Sequence, residues 1–125
     1  MRVITTEKAP KPLGHYSQAI ACNGLLFISG QLPLDPQDPS RPVPSTIEEQ
    51  MLLALKNLKE ILSASGSSLE KVVKVTLFIA DITLWAKVNE IYGEFFGSHR
   101  PARSAVPTKE LPRGCLIEIE AIAAV

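Results

Sequence analysis

The amino-acid sequence predicts an α+β fold in one domain spanning residues 1–125: a mixed β-sheet with two helices on one face. Three observations carry this expectation. Two stretches place apolar side chains at spacings of three and four, and each runs out at a glycine. Runs rich in Val, Ile and Leu lie around them with a period of two. The composition, 125 residues of which 46% are hydrophobic, supplies a core that needs no disulfide or metal staple.

Taken in order, a short first strand is followed by an irregular stretch from Lys8 to Gly14. Leu25 to Ser29 is an apolar strand ending at Gly30. Pro33 to Pro42, with Pro44 just beyond, reads as a surface loop, because each proline fixes φ and removes a backbone donor. Ser45-Thr46-Ile47-Glu48 fits a capping box with Ser45 as N-cap. Ile47, Met51, Leu55, Leu58 and Leu62 then form one apolar stripe, and Gly66 sits where the helix stops.

Val73, Val75, Leu77 and Ile79 alternate with Val72, Lys74, Thr76 and Phe78 in the next strand. A second helix follows Asp81, with Leu84, Val88, Ile91, Tyr92 and Phe95 on one face and Gly97 beyond its end. Ala102 to Val106 and Leu116 to Ala123 are strands, joined as a hairpin through Leu111-Pro112-Arg113-Gly114. The order is β-β-α-β-α-β-β. Two helices of five to six turns cover one sheet face and leave the other half-apolar and open, so association between copies is expected.

Charge excludes several function classes. Thirteen Lys and Arg against thirteen Asp and Glu give zero net charge, whereas nucleic-acid binders carry a basic excess. Cys22 and Cys115 are too few and too distant for a zinc cluster or disulfide framework and read as reduced thiols. The N-terminal residues hold no apolar signal core, and nothing resembles a membrane span. A cytoplasmic protein is the expectation.

Glu118 and Glu120 are the most informative pair. Their spacing puts both carboxylates on one side of a strand, between Leu116 and Ile122. They read either as a solvated strand face or as acids in a cleft, tuned for proton transfer. A hairpin turn near residues 110 to 112 sets Arg103 opposite a residue between Glu118 and Ala121. Arg103 is then either a structural ion pair or a fork for a substrate carboxylate.

His15 and His99 lack a metal-ligand partner at helical spacing, and Gly14, Gly24 and Gly30 do not form a phosphate loop. Tyr16 and Ser29 stand beside glycines near strand edges, which suits hydroxyls lining a pocket. Asn89 is a polar residue beside apolar Val88 in the second helix, placed either on the surface or against a loop.

Four segments together resemble the YjgF/YER057c/RidA family over nearly the whole chain: Leu13 to Ala19 (LGHYSQA), Phe27 to Pro33 (FISGQLP), Arg100 to Ser104 (RPARS) and Ile117 to Ala121 (IEIEA). The resemblance implies a fold like that of small chorismate mutases. It also implies a homotrimer with sheets around a central barrel and clefts between subunits. The RidA branch hydrolyses enamine and imine intermediates, such as 2-aminoacrylate, 2-iminopropanoate and 2-iminobutanoate, to 2-oxo acids and ammonia without a metal or organic cofactor.

By that resemblance Arg103 binds the substrate carboxylate, and Glu118 orients water and transfers protons. Tyr16, Ser29 and Gly30 line the cleft, and Asn89 supports it. Ala105 stands where many relatives carry cysteine, which leaves only its backbone N–H to serve. His15 replaces a proline of the Gly-Pro-Tyr loop and adds a titratable group near the entrance. Two other readings compete: a non-enzymatic trimer that binds small carboxylates or a partner, and an RNA-cleaving translation inhibitor. The charge balance disfavours RNA. The acid beside the clamp favours the enzyme, since simple binding needs the arginine but not the glutamate.

Overall fold

The structure is a computed structural model that describes residues 1–125. It contains strands β1 (Arg2–Ile4), β2 (Ala19–Cys22) and β3 (Leu25–Gln31), helix α1 (Ile47–Ser65), strand β4 (Val72–Ile79), helix α2 (Trp85–Phe96), and strands β5 (Ala102–Pro107) and β6 (Ile117–Ala124). The strands form one sheet in the order β1-β2-β3-β6-β4-β5. Only the β4–β5 pair is parallel.

One strand more is present than the sequence reading placed. Asn23 and Gly24 both take positive φ, 51° and 76°, the signature of a two-residue type I′ turn. That turn folds β2 back on β3 with Cys22 opposite Leu25. The Asn-Gly pair was the available signal.

The α1 cap also shifts by one residue. Thr46, not Ser45, is the N-cap: its backbone is extended, and its hydroxyl accepts from Glu49 N–H at 3.2 Å. Two adjacent hydroxyls and two adjacent glutamates make the capping box degenerate, and either register satisfies it. Gly66 closes the helix with φ 86°, and its N–H meets the Leu62 and Ser63 carbonyls. α2 is shorter than expected. Asp81 caps a separate short turn (Ile82–Leu84) through Thr83, and only twelve residues follow as α-helix. In β4 a bulge between Val72 and Lys74 turns Val72 inward and leaves Val73 exposed.

The expected β5–β6 hairpin does not form. β5 pairs in parallel with β4, and β6 runs antiparallel between β3 and β4. Two causes act together. The unit β4-α2-β5 is a crossover, which returns its second strand parallel to its first. Burial then decides the centre: β6 offers Ile117, Ile119, Ala121 and Ala123 to the core, all buried, with each isoleucine worth roughly 1.5–3 kcal/mol. On the same face β5 offers Arg103, Ala105 and Pro107, which suit an edge.

Both helices share one core of 25 buried residues with one face of the sheet, from Ile28 through Val75 and Leu77 to Ile119. The opposite face carries no helix. Phe27 is 45% exposed there, alongside Leu25.

Candidate active site

Glu118 sits on the central strand, opposite Phe78 of β4. On its other side the β3–β6 ladder pairs Ile28 with Ala121 and Gln31 with Ile119, so Ser29 and Gly30 together oppose one residue, Glu120. This bulge brings the Gly30 backbone against the Glu118 side chain. A β-carbon on Gly30 would overlap Glu118 Oε1 and lie 2.9 Å from its Cδ.

A cleft of about 490 Å³ opens beside them, lined among others by Tyr16, Ser29, Gly30, Pro112, Glu118 and Glu120. Half-burial pushes the Glu118 carboxyl above its ordinary value of 4.5, and the Glu120 charge adds to the rise. Neither glutamate forms a salt bridge.

The other side chains of this cleft are held by backbone. Ser29 Oγ donates to the Ser17 carbonyl at 2.6 Å. Tyr16 is exposed, and its hydroxyl accepts from Leu13 N–H at 3.2 Å. The loop that carries Tyr16 hangs on Gln18, which is buried. Its Nε2 donates to the carbonyls of Thr6, Ala9 and Pro10, and its Oε1 accepts from Thr6 N–H. Sequence reading passed over Gln18, because one buried amide leaves no periodic signal.

Arg103 lies elsewhere. It pairs with core-facing Val75 and so points to the helix side of the sheet, whereas Glu118 points to the open side. The register argument that set the two opposite each other is therefore overturned, together with the ion pair it allowed. Arg103 Nη1 donates to Asn89 Oδ1 at 2.9 Å, and its Cζ stands 4.8 Å from the ring centroids of both Trp85 and Tyr92. Both rings attract the cation, and no carboxylate neutralises it. The guanidinium is thus held in place without an anionic partner in the chain. Trp85 and Tyr92 were missed as its supports, since a helical aromatic stripe reads first as core.

Ala105 is exposed two residues further along the same edge strand, on the side of Arg103. His15 is exposed in the Tyr16 loop. The His99 Nε2–H donates to the Val72 carbonyl at 2.7 Å, which ties the α2–β5 connection to β4. Cys115 is buried, and burial pushes its thiol up, away from reactivity. No group of three or more His, Cys, Asp or Glu side chains is placed to hold a metal ion. No helix is long and apolar enough to cross a membrane.

Comparison with known proteins places this geometry in a family. The family model described as Endoribonuclease L-PSP matches residues 6–125. A RutC family protein of Pyrococcus horikoshii is 51% identical over 121 residues, 97% of this chain and 95% of that protein. The 2-iminobutanoate/2-iminopropanoate deaminase of Rattus norvegicus is 46% identical over 122 residues, 98% of this chain and 88% of that protein. Among solved structures, RidA from an Antarctic Psychrobacter superposes with a TM-score of 0.95 at 35% identity, covering all of both chains. TdcF of Escherichia coli with bound serine superposes with a TM-score of 0.94 at 38% identity, covering 100% of this chain and 99% of that one. Matched along almost its whole length in sequence and in fold, the chain belongs to the YjgF/RidA family.

Proposed function

We propose that this protein hydrolyses 2-imino acids and their enamine tautomers to 2-oxo acids and ammonia, with no metal or organic cofactor. The observation that carries this reading is the division of labour between two half-sites. Arg103 is a fixed, uncompensated cation suited to a carboxylate. Glu118 is a half-buried acid with a raised pKa beside a backbone that leaves it room. The deaminase relatives and the serine-bound TdcF structure favour small amino-acid-like ligands.

Within one chain the two half-sites lie on opposite faces of the sheet. A working site therefore takes Arg103 from one copy and Glu118 from another. The open sheet face, with Phe27 and Leu25 exposed, supplies the surface for a homotrimer that brings them together.

The chemistry then runs as follows. Arg103 grips the substrate carboxylate and orients C2. An enamine accepts a proton at C3 to become the protonated imine. Glu118, as carboxylate, takes a proton from water as the water oxygen bonds to C2 and the C=N π pair passes to nitrogen, giving a neutral carbinolamine. Glu118 returns that proton to the nitrogen, and ammonia leaves as the C–N bond breaks. Loss of the hydroxyl proton to solvent leaves the 2-oxo acid. Burial, with the Glu120 charge beside it, makes the Glu118 carboxylate a stronger base than a solvated one, which suits it to take and return that proton. Tyr16, Ser29 and Gly30 shape the cleft, Asn89 steadies Arg103, and Ala105 offers a backbone donor in place of a thiol.

Binding of small carboxylates without turnover would need the clamp alone and leaves the raised Glu118 without a role. RNA cleavage, named in the family model's description, is disfavoured by zero net charge. The decisive assay generates 2-iminopropanoate in situ with an amino-acid oxidase in the presence of semicarbazide. The protein is expected to divert the imine to pyruvate before it is trapped. No acceleration, or undiminished acceleration in Arg103→Ala, would overturn the hydrolase reading. Sedimentation as a monomer at micromolar concentration would overturn the intersubunit site.

A further inference from the structure

Residues 7–17 form neither strand nor helix. Among themselves they keep one backbone–backbone hydrogen bond, from Tyr16 N–H to the Gly14 carbonyl. Pro10 and Pro12 have no backbone donor at all. A segment of this kind has no ladder to hold its shape, and its buried carbonyls need partners from elsewhere.

Gln18 supplies them. It is only 3% exposed and closes a pair of bonds with Thr6. Its Nε2 donates to the Thr6 carbonyl at 3.0 Å, and its Oε1 accepts the Thr6 N–H at 2.7 Å. The same Nε2 donates to the carbonyls of Ala9 (3.2 Å) and Pro10 (2.9 Å). Three acceptors share two protons, so the loop is gathered about one nitrogen. Every bond of this amide goes to residues 6–10, and none reaches a helix or a strand. What it fixes is the path of the loop.

The far end of the loop is tied to the bulge. Ser29 donates from Oγ to the Ser17 carbonyl at 2.6 Å and from its N–H to the Gln18 carbonyl at 3.0 Å. The next residue, Gly30, is the one that leaves room for Glu118. Gln18 therefore stands at a junction, with its main chain bonded to the bulge and its side chain to the loop. Tyr16 moves with that loop, since its hydroxyl accepts from Leu13 N–H. Tyr16 and Glu118 line the same cleft.

We infer that Gln18 is a positioning residue for the hydrolysis: it sets where the Tyr16 loop lies relative to Glu118 without touching the substrate. This deepens the imine-hydrolase reading and rests on it. Gln18→Met keeps the length of the side chain and removes all four bonds. Gln18→Glu is the milder variant, which keeps an acceptor for Thr6 N–H, loses the amide donors, and serves if the methionine variant does not fold. Each is expected to lose at least tenfold in kcat/KM on the imine generated in situ from alanine. In a Tyr16→Phe background the same change is expected to cost about threefold or less, because the hydroxyl it places is gone. Losses that multiply in full would assign Gln18 to general stability and overturn the proposal.

Fluorine NMR separates this outcome from failure of the hydrolase reading. The chain holds two tyrosines, so labelling with 3-fluorotyrosine gives one signal from the loop and one from Tyr92, buried in α2. The Gln18 variants are expected to shift or broaden the Tyr16 signal and to leave that of Tyr92 in place. An unmoved Tyr16 signal in a folded variant would overturn the proposal even in an active hydrolase. The spectra need no substrate, so an inactive wild type would count against the hydrolase reading and not against the placement of Tyr16.

Discussion

Gly30 and Glu118 meet across the β3–β6 bulge so closely that a single methyl group on Gly30 would occupy the place of Glu118 Oε1. Gly30 has no positive φ, so alanine fits the backbone and the conflict falls on the flexible carboxylate. Gly30→Ala is therefore expected to fold with a Tm within a few degrees of wild type and to lose about 100-fold or more in kcat/KM. Thermal melts beside imine-hydrolysis kinetics check both halves. Wild-type turnover in this variant would detach Glu118 from the chemistry.

Glu120 shares the face of Glu118, and its charge helps hold the Glu118 pKa above 4.5, second to burial. If Glu118 works as a carboxylate, activity falls as pH drops through that raised pKa. Glu120→Gln removes the like charge, so the acidic limb of the kcat/KM profile is expected to move to lower pH. A shift upward, or none, would show that the two carboxylates are not electrostatically coupled.

Arg103 is held by one amide and two rings, an arrangement shaped for a planar guanidinium. Arg103→Lys keeps the charge but loses the fork and the stacking. At least a tenfold rise in KM is expected, with a smaller change in kcat. Asn89→Ala frees one side of the guanidinium and is expected to raise KM less than Arg103→Lys does. Steady-state kinetics on both variants give the ranking.

Asn57 is completely buried in α1, and its Nδ2 donates to the carbonyls of Leu32 (3.2 Å) and Leu34 (2.9 Å) just beyond β3. Asn57→Ala strands two carbonyls and leaves a void, so a loss of about 1–3 kcal/mol is expected in urea unfolding. The segment it anchors follows directly on Gly30, so some activity should be lost with the stability.

Both helices could be read from sequence because their signals are local. The Ile47–Leu62 stripe and the Gly66 stop lie within one element, and three- and four-residue periodicity needs no knowledge of partners. Strand neighbours are a different matter. Leu111-Pro112-Arg113-Gly114 looks like a hairpin turn, but nothing in those four residues reveals that the chain crosses β4 before entering the sheet. What decided the pairing was burial of Ile117 and Ile119 against helices distant in sequence.

The candidate site divides along the same line. Glu118, Arg103, Tyr16, Ser29, Gly30 and Asn89 were all singled out from sequence, and Asn89 does bond Arg103. Their grouping could not be read, because it depends on which sheet face each residue occupies. Gln18 and Trp85 escaped notice because each acts through what lies beside it in space.

The Ser29–Gly30 bulge also works as a count of residues. With one residue fewer there, β3 would pair regularly with β6 through to its end, and the ladder would be more uniform. The same deletion would keep Gln31 opposite Ile119 and facing the core but draw the backbone away from Glu118. A shortened chain of this kind would keep its helices and most of its core while its acid lost its neighbour. The irregularity is thus a place where fold and chemistry make opposite demands on chain length, and the chain present here meets the demand of the chemistry.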